Sequence, residues 1–239
     1  MDFATPRRSV ALRVVSGRAH YDEVVAAAIQ AHTSVWIATA NLKELMIEDH
    51  RAKPGVRRRL GRATYRSVLA AFAELAARGV EIRFLHAERP SRPFRAELAK
   101  HPELAEIQMR VCPRVHLKTV VVDGGLLYLG SANWTGAGLG VRGSGRRNFE
   151  LGIVTDDAQL LDEVQAMYER IWSGGECASC KLRPLCPAPL DGQPSRGRTG
   201  QGRGPKDRAE RSEDPGPPGP EGIANPKKLA KVKRKRKTT

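Results

Sequence analysis

Short apolar runs recur along the first 172 residues, separated by stretches with helical spacing. Val35-Trp36-Ile37-Ala38-Thr39-Ala40 is continuous and rich in strand formers, as a strand buried on both faces should be. Val80–Leu85, Ile107–Val111 and Phe149–Thr155 also read as strands. Between them, Asp22–Ala31 predicts an amphipathic or buried helix, and Tyr65–Arg78 a helix ended by Gly79. Phe94–Lys100 predicts a short helix. Asp156 or Asp157 stands where the cap of a helix over Ala158–Trp172 belongs. Strands alternating with helices, without an internal repeat, predict an α/β sandwich built on a mixed sheet.

The most specific pattern lies at residues 116–133, His-Leu-Lys-Thr-Val-Val-Val-Asp-Gly-Gly-Leu-Leu-Tyr-Leu-Gly-Ser-Ala-Asn. Val115–Val122 predicts a buried strand, Asp123-Gly124-Gly125 a turn, and Leu126–Leu129 a short return strand. Side chains on a strand alternate faces. His116 and Lys118 therefore share one face, and Leu117, Thr119 and Val121 take the other. Gly130 and Ser131 open a loop that can bring Asn133 back over the first face.

These residue types suit attack on a phosphodiester. The substrate is an anion, so a nucleophile approaches against repulsion. Lys118 and Asn133 can neutralise and hydrogen-bond the non-bridging oxygens, most strongly as charge builds in the transition state. A neutral imidazole nitrogen of His116 can attack phosphorus and carry it covalently.

The spacing His-x-Lys, four residues, Asp, six residues, Gly-Ser-x-Asn resembles the signature of the phospholipase D superfamily. The resemblance spans roughly residues 12–172, but only His116 to Glu150 is specific. It implies an α-β-α sandwich with a mixed sheet and a two-step reaction through a phosphohistidine on His116, needing no metal or other cofactor. Ser131 belongs to the matched signature, and Asp123 matches an aspartate that is mainly structural in that family. Asn148-Phe149-Glu150 resembles a downstream Asn-x-Glu whose carboxylate holds the second ring nitrogen, which makes Glu150 the candidate for that role. Of the six histidines, only His116 is followed by x-Lys. The leaving oxygen needs a proton from a second acid. A two-fold homodimer, with His116 of each subunit facing one shared site, supplies it; single-motif members of the superfamily, including small bacterial endonucleases and mitochondrial-type phospholipase D-like nucleases, are arranged this way.

Charge then narrows the partner. The chain carries 41 basic and 26 acidic residues, a net charge of +15. Residues 187–226 are rich in Gly, Pro, Ser and charged side chains, a composition that predicts disorder. Eight of the positive charges follow, on Lys227, Lys228, Lys231, Lys233, Arg234, Lys235, Arg236 and Lys237. Such a tail attracts nucleic acid or anionic phospholipid, or serves solubility alone. Further basic groups crowd Arg51–Arg62 and Arg142–Arg147. The expected organisation is a catalytic domain over 1–173, a cysteine segment over 174–186 and a disordered basic tail over 187–239. No apolar leader or membrane span is evident, so a cytoplasmic location is expected.

All four cysteines remain to be placed: Cys112, and Cys177, Cys180 and Cys186 at C-x2-C-x5-C spacing. In a reducing compartment a clustered C-x2-C suggests a structural metal more than a disulfide. The spacing resembles, locally, the iron–sulfur staple of certain recombination and CRISPR-associated nucleases; a four-cysteine zinc site is the alternative. Three functions fit the chain: a nuclease, a phospholipase D or phosphatidyl transferase acting on lipid, and a nucleic-acid-binding module without turnover.

Overall fold

The structure is a computed structural model that describes residues 4–49 and 64–192. The basic stretch Arg51–Arg62 and the C-terminal lysines lie outside the described residues. The chain divides into two units, residues 1–196 and 197–239, and every described residue belongs to the first.

Among the described residues nine strands form in chain order: β1 Arg13–Ser16, β2 Ser34–Thr39, β3 Met46–Glu48, β4 Tyr65–Ser67, β5 Glu81–His86, β6 Gln108–Val111, β7 Thr119–Val122, β8 Leu126–Gly130 and β9 Leu151–Thr155. The helices are α1 Ala26–Ala28, entered through a π-helical turn over Tyr21–Val25, then α2 Val68–Ala77, α3 Arg92–Leu98 and α4 Ala158–Trp172. Seven strands make one mixed sheet in the order β1-β9-β8-β7-β2-β5-β6, and β3 pairs with β4 separately. β2, β5 and β6 run parallel; β7 lies antiparallel to β2 and begins an antiparallel meander through β8 and β9.

The two faces bury different sets. Val35, Ile37, Val120, Val122 and Tyr128 point to the side covered by Val25, Ala28, Leu69, Phe72, Leu75 and Phe94. Val121 and Leu127 point the other way and meet Leu161 and Val164 of α4. Near the C-terminus of α4, Tyr168 and Trp172 join Ala38, Leu85 and Val115. The buried positions of α4, Leu161, Val164, Tyr168 and Trp172, recur every three or four residues, so one stripe of the helix is committed to the sheet. The result is the expected α-β-α sandwich.

Local signals act where they were expected. Asp157 caps α4 by accepting from the Leu160 N–H at 2.8 Å. Gly79 takes φ +84° just after α2, a left-handed position that L side chains avoid. Three segments differ from the sequence reading. Residues 65–67 are strand, not the first turn of a helix, because Ser67 caps α2 with its side chain on the Leu69 N–H and Tyr65–Ser67 pairs with Met46–Glu48. The motif strand starts at Thr119 rather than Val115, since the β2 ladder ends at the pair Ala38↔Thr119. Residues 187–192, expected to lack order, end in a 3₁₀ turn whose Leu190 is buried against Val115, Tyr168 and Trp172.

Asp123 sits in the β7–β8 turn at φ +54°. Its carboxylate accepts from the backbone N–H groups of His32, Thr33 and Ser34, which lead into β2. Burial opposes ionisation, but these hydrogen bonds outweigh it and hold the carboxyl below its ordinary pKa. A depressed carboxyl stabilises the fold above its unfolded pKa, and that contribution fades as pH falls through the folded value. Replacing Asp123 by Asn should therefore cost roughly 2 kcal/mol at pH 7, with the gap from wild type closing toward pH 3. Urea titrations at both pH values would check this; an unchanged midpoint at pH 7 would contradict it.

Candidate active site

The β2–β7 ladder builds the site at its end. One residue past the pair Ala38↔Thr119, Thr39 comes level with Lys118. Thr39 Oγ1 accepts from the Trp134 N–H at 3.0 Å, so the loop after β8 is stitched to the end of β2. The Asn41 N–H and Thr39 Oγ1 both lie in hydrogen-bond range of Asn133 Oδ1, at 3.0 and 3.2 Å. With its carboxamide oxygen engaged there, Asn133 keeps its NH₂ for another acceptor.

Lys118 and His116 stand side by side. The Lys118 side chain is buried, and Nζ lies 3.0 Å from Nδ1 and 3.1 Å from Nε2 of His116. It also donates to the His116 carbonyl at 2.8 Å. Burial pushes the Lys118 pKa down, and the Glu150 carboxylate pulls against that shift. The His116 ring is exposed. Beside it opens a cleft of about 370 Å³, lined by Cys112, Arg114, Val115, Leu117, Ile171 and Glu176 as well as His116. A positive charge held against an accessible imidazole is what capture of a phosphate followed by attack requires.

Glu150 is placed differently from the reading of the sequence. Its Oε1 accepts from Asn148 Nδ2 at 3.0 Å, and Ser131 Oγ donates to its Oε2. The second ring nitrogen of His116 is not among its partners. The reason lies in the β8–β9 ladder: Ser131 stands just past the pair Gly130↔Gly152, and its N–H donates to the Leu151 carbonyl. That brings the hydroxyl directly against Glu150. Asp123 also lies outside the site, at the opposite end of β7.

Several contributors were missed in the sequence. Thr39 and Asn41 orient Asn133; the one available signal was a polar residue closing the apolar run of β2. His20 is fully buried, edge-on to Tyr128 at 5.5 Å between ring centroids, with no hydrogen-bond partner at Nε2. Burial lowers its pKa, opposed by the Gly17 carbonyl and by Glu150. Nothing in the sequence around His20 marks it. The Tyr128 ring is accommodated by Gly130 and Gly152, where any Cβ would sit 2.3 Å from a ring atom or the hydroxyl. Its hydroxyl accepts from the Ala132 N–H at 3.3 Å, inside the Ser131–Asn133 loop.

All four cysteines are free thiols that line one small cavity, which shares Cys112 and Arg114 with the walls of the His116 cleft. Among the described residues, no group of three or more His, Cys, Asp or Glu side chains is already arranged to hold a metal ion.

A family profile described as "Cardiolipin synthase, PLD-like domain" matches residues 24–172. The chain belongs to the phospholipase D-like family. Among solved structures, NucT from Helicobacter pylori aligns at 15% identity and a TM-score of 0.47, covering 68% of this chain and 95% of that one. Nuc, a phospholipase D family member from Salmonella typhimurium, aligns at 19% identity with the same score and coverage. The phosphatidylserine synthase of Haemophilus influenzae Rd KW20 aligns at 17% identity and a TM-score of 0.43, over 68% of this chain and 38% of its own. No curated protein matches the chain. Among the described residues, no helix is long and apolar enough to cross a membrane.

Glu44, on the loop between β2 and β3, offers a test of the packing under the site. Burial raises its carboxyl to about 7, against the hydrogen bond from Ser67 Oγ at 2.6 Å. A raised carboxyl is comfortable when protonated and costs stability as pH climbs from its unfolded value through the folded one. Glu44→Gln should therefore stabilise the protein by about 1–3 kcal/mol at pH 8 and change little at pH 5. Thermal melts at both pH values would show it.

Proposed function

We propose that the protein is a metal-independent phosphodiesterase that cleaves nucleic acid through a phosphohistidine on His116, working as a two-fold dimer. The observation that carries the reading is the buried Lys118 ammonium beside both nitrogens of the exposed His116 ring, within the part of the chain that matches the family. In the first step a ring nitrogen forms a bond to phosphorus while the bond to the leaving oxygen breaks. That oxygen takes a proton from the imidazolium of His116 of the partner subunit. In the second step the same partner imidazole takes a proton from water, whose oxygen attacks phosphorus and releases His116. Lys118 and the Asn133 NH₂ stabilise the charge on the non-bridging oxygens in both steps. Ser131 holds Glu150, whose negative charge opposes loss of the Lys118 proton.

Nucleic acid is supported by charge. The net charge is +15, and the exposed Arg142 and Arg146 lie on the segment that leads from Asn133 to Glu150. Guanidinium groups there would grip neighbouring phosphates. The dimer is supported by the surface beside Glu150. Phe149 is fully exposed, and Leu151 of β9 and Val14 of the edge strand β1 are more than half exposed. A soluble domain gains by covering such a stripe, and a copy of the chain related by a two-fold axis would also bring the second His116.

His116→Asn should lower cleavage of a labelled oligonucleotide by at least about 10³-fold while leaving its binding within a few-fold. Wild-type cleavage should persist with chelator added to the assay. A parallel assay on phosphatidylcholine vesicles discriminates the substrate: turnover of lipid with intact oligonucleotide would overturn the nuclease reading. Phe149→Asp should convert a dimer to a monomer in sedimentation and remove activity with it. A variant that is monomeric yet fully active would refute the shared site.

A further inference from the structure

We infer that Cys112, Cys177, Cys180 and Cys186 are the four thiolate ligands of a single structural zinc ion, which fastens the segment after α4 to the strand end that leads into His116. This does not rest on the proposed reaction.

Topology supplies the first argument. Cys112 follows β6, directly after its last residue Val111, whereas the other three follow α4. Elements far apart in the chain thus deliver every cysteine of the protein to the walls of one cavity of about 30 Å³. None of the four is in a disulfide. Val111, Pro113, Leu182, Pro189 and Leu190 make up much of the remaining wall. An apolar enclosure of soft sulfur donors favours zinc over hard cations.

The second argument is the segment itself. Between residues 173 and 192 regular structure is limited to two short 3₁₀ turns, Arg183–Leu185 and Leu190–Gly192. Its only buried apolar side chain is Leu190, whereas Leu182 and Leu185 are 45% and 84% exposed. A connection this long without a core of its own needs another constraint to stay folded. Zinc cross-links provide that in small domains.

Donors already stand around the sulfur. Arg114 and Arg183 share the cavity wall with the four cysteines. Such donors balance the surplus negative charge of a zinc bound by four thiolates. Cys112 and Cys177 pack against the same buried cluster of Val115, Tyr168, Trp172 and Leu190. The thiols still have to converge, since they are not arranged as a finished site. Thiols do not attract one another; the ion draws them in, and three of the four sit on turns that can shift without disturbing the sheet. The cavity has room for one ion and falls well short of an iron–sulfur cube.

The test is elemental analysis of the full chain, purified without chelator from cells grown with both zinc and iron. The expected result is about one zinc per chain, released stoichiometrically when a mercurial titrates the thiols. Cys112→Ser and Cys180→Ser should each reduce zinc to under about a tenth per chain. Cobalt added to the stripped protein should give the intense visible bands of tetrahedral thiolate coordination. Stripping zinc should also expose residues 173–192 to protease while the sheet stays intact by circular dichroism. Wild-type protein that is folded, metal-free and reacts at four thiols with Ellman's reagent would overturn the inference, and no variant is needed to see it. Iron with acid-labile sulfide in place of zinc would equally overturn the single-ion site.

Discussion

The site depends on where one antiparallel ladder stops. β2 and β7 pair as far as Ala38↔Thr119. The next positions, Thr39 and Lys118, are freed from the ladder at a common level. There the backbone is still fixed by its neighbours, and both side chains are buried. Thr39 uses this freedom to hold Asn133 and the Trp134 N–H. Lys118 uses it to reach His116. A one-residue slip in this pairing would turn each of these side chains to the opposite face.

Much of the rest of the molecule serves that register. Asp123 closes the opposite end of β7 by collecting N–H groups from the residues that enter β2. Tyr128, lodged over Gly130 and Gly152, braces the loop that carries Asn133. On the other face, Trp36 stacks on Tyr168 at 5.4 Å and Tyr168 on Trp172 at 5.7 Å. Arg83 lies over Trp36 and pairs with Glu81 and Glu169. That aromatic and ionic layer seats α4, whose C-terminal end lines the His116 cleft through Ile171. Burial of one helix stripe is thereby linked to the shape of the cleft.

Electrostatics at the site is a balance between burial and a few nearby charges. Lys118 loses hydration and is partly compensated by Glu150. His20 is buried further from the surface and is pushed toward its neutral form by the same effect. Glu150, fixed by Ser131 and Asn148, favours the charged form of both.

The sequence alone determined the identities and the periodicities. Apolar positions located β2, β5, β6 and β9, capping chemistry located α4, and the spacing from His116 to Lys118 placed two side chains that the structure finds in contact. Those features are local, so they survive in a one-dimensional reading. Tertiary structure decided what depends on partners distant in the chain. It shortened the motif strand where its neighbour ended, made Tyr65–Ser67 a strand because Met46–Glu48 lies alongside, and gave Glu150 to Ser131. It also brought His20 under Tyr128, Thr39 under Asn133, and Cys112 to the three cysteines beyond α4. Each of these is a contact whose energy comes from burial or pairing across the sheet, and no neighbour in sequence announces it.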